Sequence, residues 1–241
     1  MAIDYSFWKK PFEFKEFPKW VCPKCLRGNL NLDENTFQSI EPTYSVAWHN
    51  HDDFEPDWVC ERFVGLLKCN NKPCGEIVSI SGNTIYDYDK IDERQWGVVP
   101  FSVPTCLCPA PPVFVLIDDV PDSVAEDVKK SFELFWSDTA SCVNKIRVSL
   151  ERLLDEEGVT QSTPDKRMTL HQRIQEYESK DSESAKYLMA LKWVGNTGSH
   201  SSNIDIDKVL EAFELLEHSL IAVFKGRKLR KIRDEIIENK G

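Results

Sequence analysis

Pro100-Phe101-Ser102-Val103-Pro104-Thr105-Cys106-Leu107-Cys108-Pro109-Ala110-Pro111-Pro112, with Pro121 beyond it, divides this chain. Neither a helix interior nor a central strand tolerates that density of proline, because each ring removes a backbone donor and fixes φ. Residues 100–121 therefore read as a proline-rich connector, with a domain boundary near residue 120. Upstream the sequence is β-branched and rich in turns. Gly75-Glu76-Ile77-Val78-Ser79-Ile80-Ser81-Gly82 alternates as a strand does, and Gly82-Asn83 reads as a turn into Thr84-Ile85-Tyr86. The chain is predicted to be α+β, with a small β domain over residues 1–99 and an antiparallel α-helical bundle over residues 122–241.

The helical half shows its period plainly. Val124, Val128, Phe132, Phe135, Ala140, Val143, Ile146, Leu150 and Leu153 recur every three or four residues. Ser123 with Glu126 reads as a capping box at the start of this helix, and Gly158 as its stop. Thr163-Pro164 opens a second helix carrying Leu170, Ile174 and Tyr177, and Ser182 starts a third that runs to about Val194. A fourth carries Val209, Phe213, Leu216, Leu220 and Val223, and a last one Leu229, Ile232 and Ile236. Such stripes suit a bundle with a shared core.

Of the 241 residues 41% are hydrophobic and 11% aromatic, which excludes a disordered chain. No window approaches the roughly 18 consecutive apolar residues of a membrane helix. Met1-Ala2-Ile3-Asp4-Tyr5 shows no basic region leading into an apolar one, so a cytoplasmic protein without a secretory signal is expected. In a reducing compartment, paired cysteines mean metal more often than disulfide. The net charge of −10 is uneven: residues 1–121 carry 11 basic against 18 acidic side chains, and residues 122–241 carry 19 against 22. The bulk field does not advertise nucleic acid, although a local patch can still bind it.

The eight cysteines include Cys22-Pro23-Lys24-Cys25 and a second pair, Cys69 and Cys74, followed directly by Gly75. Two thiolates in a tight turn reach one Zn²⁺ at about 2.3 Å, and two such turns complete a tetrahedron. This pattern resembles a zinc ribbon. Four residues separate Cys69 from Cys74 where a knuckle usually has two, so Cys60, His49 and His51 stand as substitutes for the second pair. Four protein ligands leave no open position, so the predicted zinc is structural. Cys106 and Cys108 read as free thiols, and Cys142 as a small core residue.

Phe7, Trp8, Phe12, Phe14, Phe17 and Trp20 interleave with Lys9, Lys10, Lys15 and Lys19. Aromatics among cations can stack bases. With Glu13 and Glu16 between them, the preferred reading is a segment that wraps the β domain and packs its rings.

In the helical half, Leu191-Lys192-Trp193-Val194-Gly195-Asn196-Thr197-Gly198-Ser199-His200 stands apart. It reads either as a helix C-terminus with Gly195 in the left-handed conformation, or as a site in which His200 moves protons while Asn196 and Lys192 hold a phosphate. Arg147 and Glu151, spaced i and i+4, read as an intrahelical ion pair that could also line the same groove. Lys225, Arg227, Lys228, Arg230, Lys231 and Arg233 place six cations in nine residues. Arg227, Lys228, Arg230 and Lys231 are therefore candidates to contact RNA, DNA or an acidic partner.

The whole layout resembles a bacterial family of unassigned function that occurs alone and fused to restriction-endonuclease subunits. It comprises the Cys-x-x-Cys ribbon, the proline-rich connector, the helix Cys142-Val143-Asn144-Lys145-Ile146-Arg147-Val148-Ser149-Leu150-Glu151, and Gly195-Asn196-x-x-x-His200. That family is similar to the HEPN superfamily of helical nucleases and nucleotide-binding domains, over roughly residues 120–225. The resemblance implies a HEPN-like bundle behind a zinc-ribbon-like β domain, a homodimer with a composite site, and metal-independent RNA cleavage through His200. In the catalytic pattern an arginine precedes the asparagine, and here Gly195 occupies its place, with Lys192 as the nearest cation. A lysine offers a point charge where arginine offers a planar fork. The resemblance therefore implies a non-catalytic or weakly catalytic protein that binds nucleic acid or a defence-system partner protein, in antiviral or restriction defence. A toxin-like endoribonuclease using His200 is the alternative.

Overall fold

The computed structural model describes residues 3–90, 95–162, 166–198 and 204–239, which fall into two compact units, Asp4–Pro112 and Val113–Gly241. The first holds an antiparallel five-stranded sheet. Its strands are β1 (Phe12–Glu13), β2 (Leu30–Ile40), β3 (Cys60–Cys69), β4 (Ile77–Lys90) and β5 (Trp96–Cys108), in the order β1-β5-β4-β3-β2, with a short helix α1 (Thr43–Trp48) between β2 and β3. β3 shows why one face is inside. Phe63, Gly65, Leu67 and Cys69 are buried while Arg62, Val64, Leu66 and Lys68 face out, which is the period of two that a half-buried strand imposes.

Against that face lies the N-terminal segment. Phe12, Phe17, Trp20, Phe37 and Phe63 form a continuous ring cluster with centroids 5.3–6.4 Å apart. Trp20 is almost fully buried and its indole N–H donates to the Phe7 carbonyl at 2.7 Å. The aromatics pack the sheet, as their interleaving with acids suggests.

The proline-rich stretch is not a connector throughout. Residues 100–108 belong to β5, and the units part between Pro112 and Val113. β5 pairs along its length with β4, whereas on its other side β1 meets it only at Phe101 and Ser102. A strand with so little pairing on one side can carry prolines, whose missing donors would otherwise interrupt a ladder. Gly82-Asn83 is likewise no turn, since β4 runs through it. The β4–β5 register shifts between Ser81 and Gly82, and a Cβ on Gly82 would lie 2.2 Å from the Val103 carbonyl oxygen. The glycine admits a close backbone approach at a bulge.

The second unit contains α2 (Asp122–Ser137), α3 (Thr139–Glu156), α4 (Leu170–Glu178), α5 (Ser182–Gly198), α6 (Ile206–Leu220) and α7 (Gly226–Glu238), α6 passing into α7 through a π-type turn, Ile221–Lys225. α3 packs against α2, α4, α5 and α6. Phe114, Phe132, Phe135 and Phe213 meet at the centre. Cys142 is fully buried, and burial pushes its thiol well above the ordinary range.

Several sequence expectations change here. The stripe from Val124 to Leu153 spans two helices, because Asp138 takes an extended conformation (φ −154°, ψ 95°) and caps α3 by accepting from the Ser141 N–H at 2.9 Å. Ser123 does not cap α2; its hydroxyl donates to Glu156 at 2.6 Å. Gly158 ends α3 with φ +73°. Thr163 and Pro164 lie outside the described residues, and the helix read from them begins at Leu170 behind a reciprocal Thr169–Gln172 capping box. α5 passes beyond Val194 to Gly198, so Gly195 is a helical residue and not a left-handed stop.

The last helix departs most from expectation. Leu229, Ile232 and Ile236 do not join the core; none of α7 is buried. In α6 and the π turn, Val209, Phe213, Leu216, Leu220, Val223 and Phe224 are buried. The π turn inserts an extra residue into the helical period and rotates the residues beyond it about the axis. Arg227, Lys228 and Arg230 then face acids of the same unit: Arg227 meets Glu157 at 3.0 Å, Lys228 meets Asp119 at 2.8 Å and Arg230 lies 3.9 Å from Asp181. Glu157 is the C-cap of α3 and its side chain is 1% exposed, held also by Lys180 at 2.5 Å. Arg227→Ala strips a charge-assisted bond from that buried carboxylate and is expected to cost about 1.5–3 kcal/mol. Arg233→Ala loses only a contact with the neighbouring Asp234 and should cost less than about 0.5 kcal/mol. Denaturant titration of the two variants reads the difference.

Candidate metal centre and the other predicted sites

Two turns come together at one end of the sheet because of the β2–β3 register, which pairs Leu30 with Cys69. The first turn is closed by the Val21–Asn29 bridge and by the Cys22 N–H donating to the Gly28 carbonyl at 2.8 Å. The second joins β3 to β4, with the N–H groups of Cys74 and Gly75 both donating to the Asn71 carbonyl. In each turn the residue after the second cysteine is left-handed, Leu26 at φ +53° and Gly75 at φ +58°. The turns are therefore alike despite their different lengths.

Four sulfurs meet between them. The Sγ atoms of Cys22, Cys25, Cys69 and Cys74 all lie within 4.8 Å of one another, with Cys22 to Cys74 at 3.8 Å and Cys25 to Cys69 at 3.7 Å. A tetrahedral ion with metal–sulfur bonds of about 2.3 Å has sulfur–sulfur edges of about 3.8 Å. Donors surround the sulfurs as they do in metal-binding turns: the Gly28 N–H and the Asn71 side-chain amide point at Cys25, at 3.4 and 3.5 Å. Asn71, with help from the Gly28 and Arg27 N–H groups, lowers the Cys25 thiol to about 6, while burial pushes Cys69 up to about 12. The donor set fits a soft tetrahedral cation that all four protein ligands would saturate.

The alternatives to the second pair are engaged elsewhere. Cys60 accepts from Arg62 at 2.7 Å, His49 meets Glu41 at 3.0 Å, and His51 accepts the Asp53 N–H at 3.2 Å. Cys106 and Cys108 are exposed free thiols on β5. The sequence reading overlooked Gly28. A Cβ there would meet the Cys69 sulfur at 2.5 Å and the Asn71 Cβ at 2.8 Å, so only glycine lets the two turns close. Its place three residues after Cys25 was the available signal. Gly28→Ala is expected to lose metal binding and most of the stability of the β unit, measured by metal content and thermal unfolding, whereas Gly75→Ala, with open space at its Cβ, should cost about 1 kcal/mol from its positive φ alone.

In the helical unit, Lys192 and Asn196 are one turn apart on α5, and His200 lies outside the described residues. Lys192 Nζ sits 3.6 Å from the centroid of the exposed Trp193 ring. Gly195 packs against α3: a Cβ there would meet the Arg147 Cβ at 2.9 Å and its Cδ at 3.3 Å. The stem of Arg147 occupies the space into which a side chain at position 195 would grow. Arg147 Nη2 lies 3.4 Å from Glu151, the pair that the i, i+4 spacing predicts. Gly195→Arg is therefore expected to destabilise the helical unit by about 1–3 kcal/mol and to produce no ribonuclease, as measured by unfolding and by incubation with RNA.

Residues 10–106 match a family described as a domain of unknown function (DUF8608), and residues 129–240 match a second, also described as a domain of unknown function (DUF4145). Each match falls within one of the two compact units. No curated protein and no solved structure matches the chain. Among the described residues, no helix is long and apolar enough to cross a membrane.

Proposed function

We propose that this chain is a non-catalytic binding protein of zinc-ribbon and HEPN-like build, whose helical unit pairs with a second copy through α7. The observation that carries this reading is the face of α7: Leu229, Ile232, Ile236 and Ile237 are 43–63% exposed on a helix with no buried residue. Charge says what covers it. The first half of α7 is basic, through Arg227, Lys228, Arg230, Lys231 and Arg233, and the second acidic, through Asp234, Glu235 and Glu238. Arg227, Lys228 and Arg230 face acids of their own unit, but among the described residues Lys231 and Arg233 meet only acids of α7 itself. Two copies laid antiparallel bring these two toward the acidic half of the other, with Leu229 of each beside Ile236 of the other.

The ion in the cysteine cluster is Zn²⁺ in this reading, and its role is structural, because four thiolates leave no position for substrate or water. Absence of catalysis rests on Gly195 standing where the resemblance calls for arginine, and on Lys192 lying against Trp193. Nucleic-acid contact by Arg227, Lys228, Arg230 and Lys231 is the weaker part of the reading, since each has an acid within 3.9 Å, the last being Glu235. The proposed setting, from the resemblance, is antiviral or restriction defence. Light scattering from micromolar to about millimolar concentration tests the pairing, and a strict monomer mass across that range overturns it. Cleavage of RNA by the wild type, lost in His200→Ala, would replace this reading with the endoribonuclease.

A further inference from the structure

Between α3 and the start of α4 lies a cleft of about 350 Å³, lined by Arg147, Glu151, Gln161, Arg167, Thr169 and Arg173. The volume is within the roughly 300–1,000 Å³ of sites that take small molecules. Three guanidinium groups face one lining carboxylate, and their hydrogen bonding is unfinished. The Arg173 side chain is 6% exposed; its Nη2 is held by Asp155 at 2.6 Å and the Val159 carbonyl at 3.1 Å, and its Nη1 by the Glu151 carbonyl at 3.3 Å. Its Nε is buried without an acceptor, and so is Nε of Arg147. Both Nε atoms are closed to solvent and Arg173 is spent on Asp155 and two carbonyls, so a ligand in the cleft would meet the outer guanidinium nitrogens of Arg147 and Arg167.

The charge balance points the same way. Asp155 neutralises Arg173, and Glu151 approaches Arg147 only to 3.4 Å, beyond the usual range for a good hydrogen bond. Arg167 is exposed and has no ion pair among the described residues. α4, nine residues long, begins at the cleft wall with Thr169 as its N-cap, so the positive end of the helix adds to the field there.

We propose that this cleft binds the phosphate group of a small phosphomonoester. Two planar guanidinium forks on α3 and on the connecting segment suit the paired oxygens of a phosphate better than a single charge would. Glu151 is the competing anion, displaced from Arg147 when the ligand enters. This inference does not depend on pairing through α7 or on any nuclease chemistry.

The test is titration calorimetry on the full chain, with AMP and ribose 5-phosphate as probes and adenosine as the phosphate-free control. Both phosphates are expected to bind and adenosine to fail. Arg167→Ala and Arg147→Lys should each weaken AMP about tenfold, one lost fork apiece, with the melting temperature held nearly constant because Arg167 is exposed and lysine keeps the stem that lies on Gly195. Glu151→Gln should tighten AMP several-fold by removing the competitor, a gain that a merely structural Glu151 would not produce. Binding of adenosine equal to AMP overturns the proposal, as does binding of neither phosphate at about 10 mM. Affinities unmoved by both arginine changes overturn it as well. A 5′-phosphorylated oligoribonucleotide that binds where AMP does not would assign the arginines to nucleic acid instead.

Discussion

Removing the zinc proposed for the four-cysteine centre is expected to unfold the Asp4–Pro112 unit and leave the helical unit standing. The four sulfurs come from two turns that are joined by the β2–β3 ladder and by a handful of backbone bonds, and Gly28 brings the turns within contact of each other. Without the ion, that end of the sheet holds four thiols crowded within 4.8 Å with no shared counter-ion. Structural zinc contributes about 10–16 kcal/mol to folding where it has been weighed, against a net stability of about 5–15 kcal/mol for an ordinary domain. The loss therefore exceeds what the aromatic cluster can be expected to supply. Changing Cys22 and Cys25 together to serine should abolish about one bound zinc per chain and the sheet's circular dichroism, while the helical signal and its own unfolding transition persist. Changing the exposed Cys106 to serine should do neither. A metal-free protein with its sheet intact would refute the structural role.

The cysteine centre was legible because it is written in local spacing: Cys22-x-x-Cys25 and the Gly75 that follows Cys74 are short-range features. What joins them is not local. The register that sets Leu30 opposite Cys69, and the contact that forbids a side chain at Gly28, depend on pairing between distant segments, and spacing alone left Cys60, His49 and His51 open as ligands. The same reason explains the misreading of Pro100–Cys108. Proline excludes a central strand, but the sequence does not say which strand lies at the rim, and β5 is bordered on one side by only two residues of β1.

In the helical unit the period of 3.6 marked the core residues of α2, α3 and α6, and Phe132, Ile146 and Phe213 are buried as that period requires. It could not show that Asp138 divides one stripe into two helices, because a cap depends on the backbone turning out of the helix. Nor could it show that Gly195 yields its space to Arg147, a contact across 48 positions. The arginine cleft is not legible in the sequence: the Arg147–Glu151 spacing reads as an ion pair, and Arg167 and Arg173 give no signal because nothing in the linear order brings them to α3. His200 lies outside the described residues, so its part in any site rests on the sequence and on the resemblance.

The apolar stripe of α7 shows how a correct period can point the wrong way, and it carries the second large effect. Leu229, Ile232 and Ile236 recur as core residues do, yet the π turn at Ile221–Lys225 sets the basic side of the helix against Glu157 and Asp119 and leaves the stripe outside. Burying the exposed half of each of the four apolar side chains gives about 1 kcal/mol apiece, or about 8 kcal/mol for two copies. An association cost of about 4 kcal/mol or more leaves about 4 kcal/mol or less, so the apolar stripe alone gives a dimer in the millimolar range, which pairing of opposite charges between the two helices tightens. Leu229→Asp with Ile236→Asp removes the apolar gain and buries carboxylates against one another, so the pair should fall apart at every accessible concentration while the melting temperature of the monomer stays close to wild type. Exchanging the ends by charge gives the sharper check. Lys228 is held by Asp119 and is left alone; Lys231→Glu should weaken the wild-type pair several-fold, and Glu235→Lys added to it should restore what was lost if the two helices run antiparallel. Because Lys231 and Glu235 also pair within one helix, the check reads association and monomer melting temperature together. Restored association at a level melting temperature means that residues 231 and 235 of different copies approach each other; a double variant no better than the single one would show that the stripe is covered by something other than its own copy.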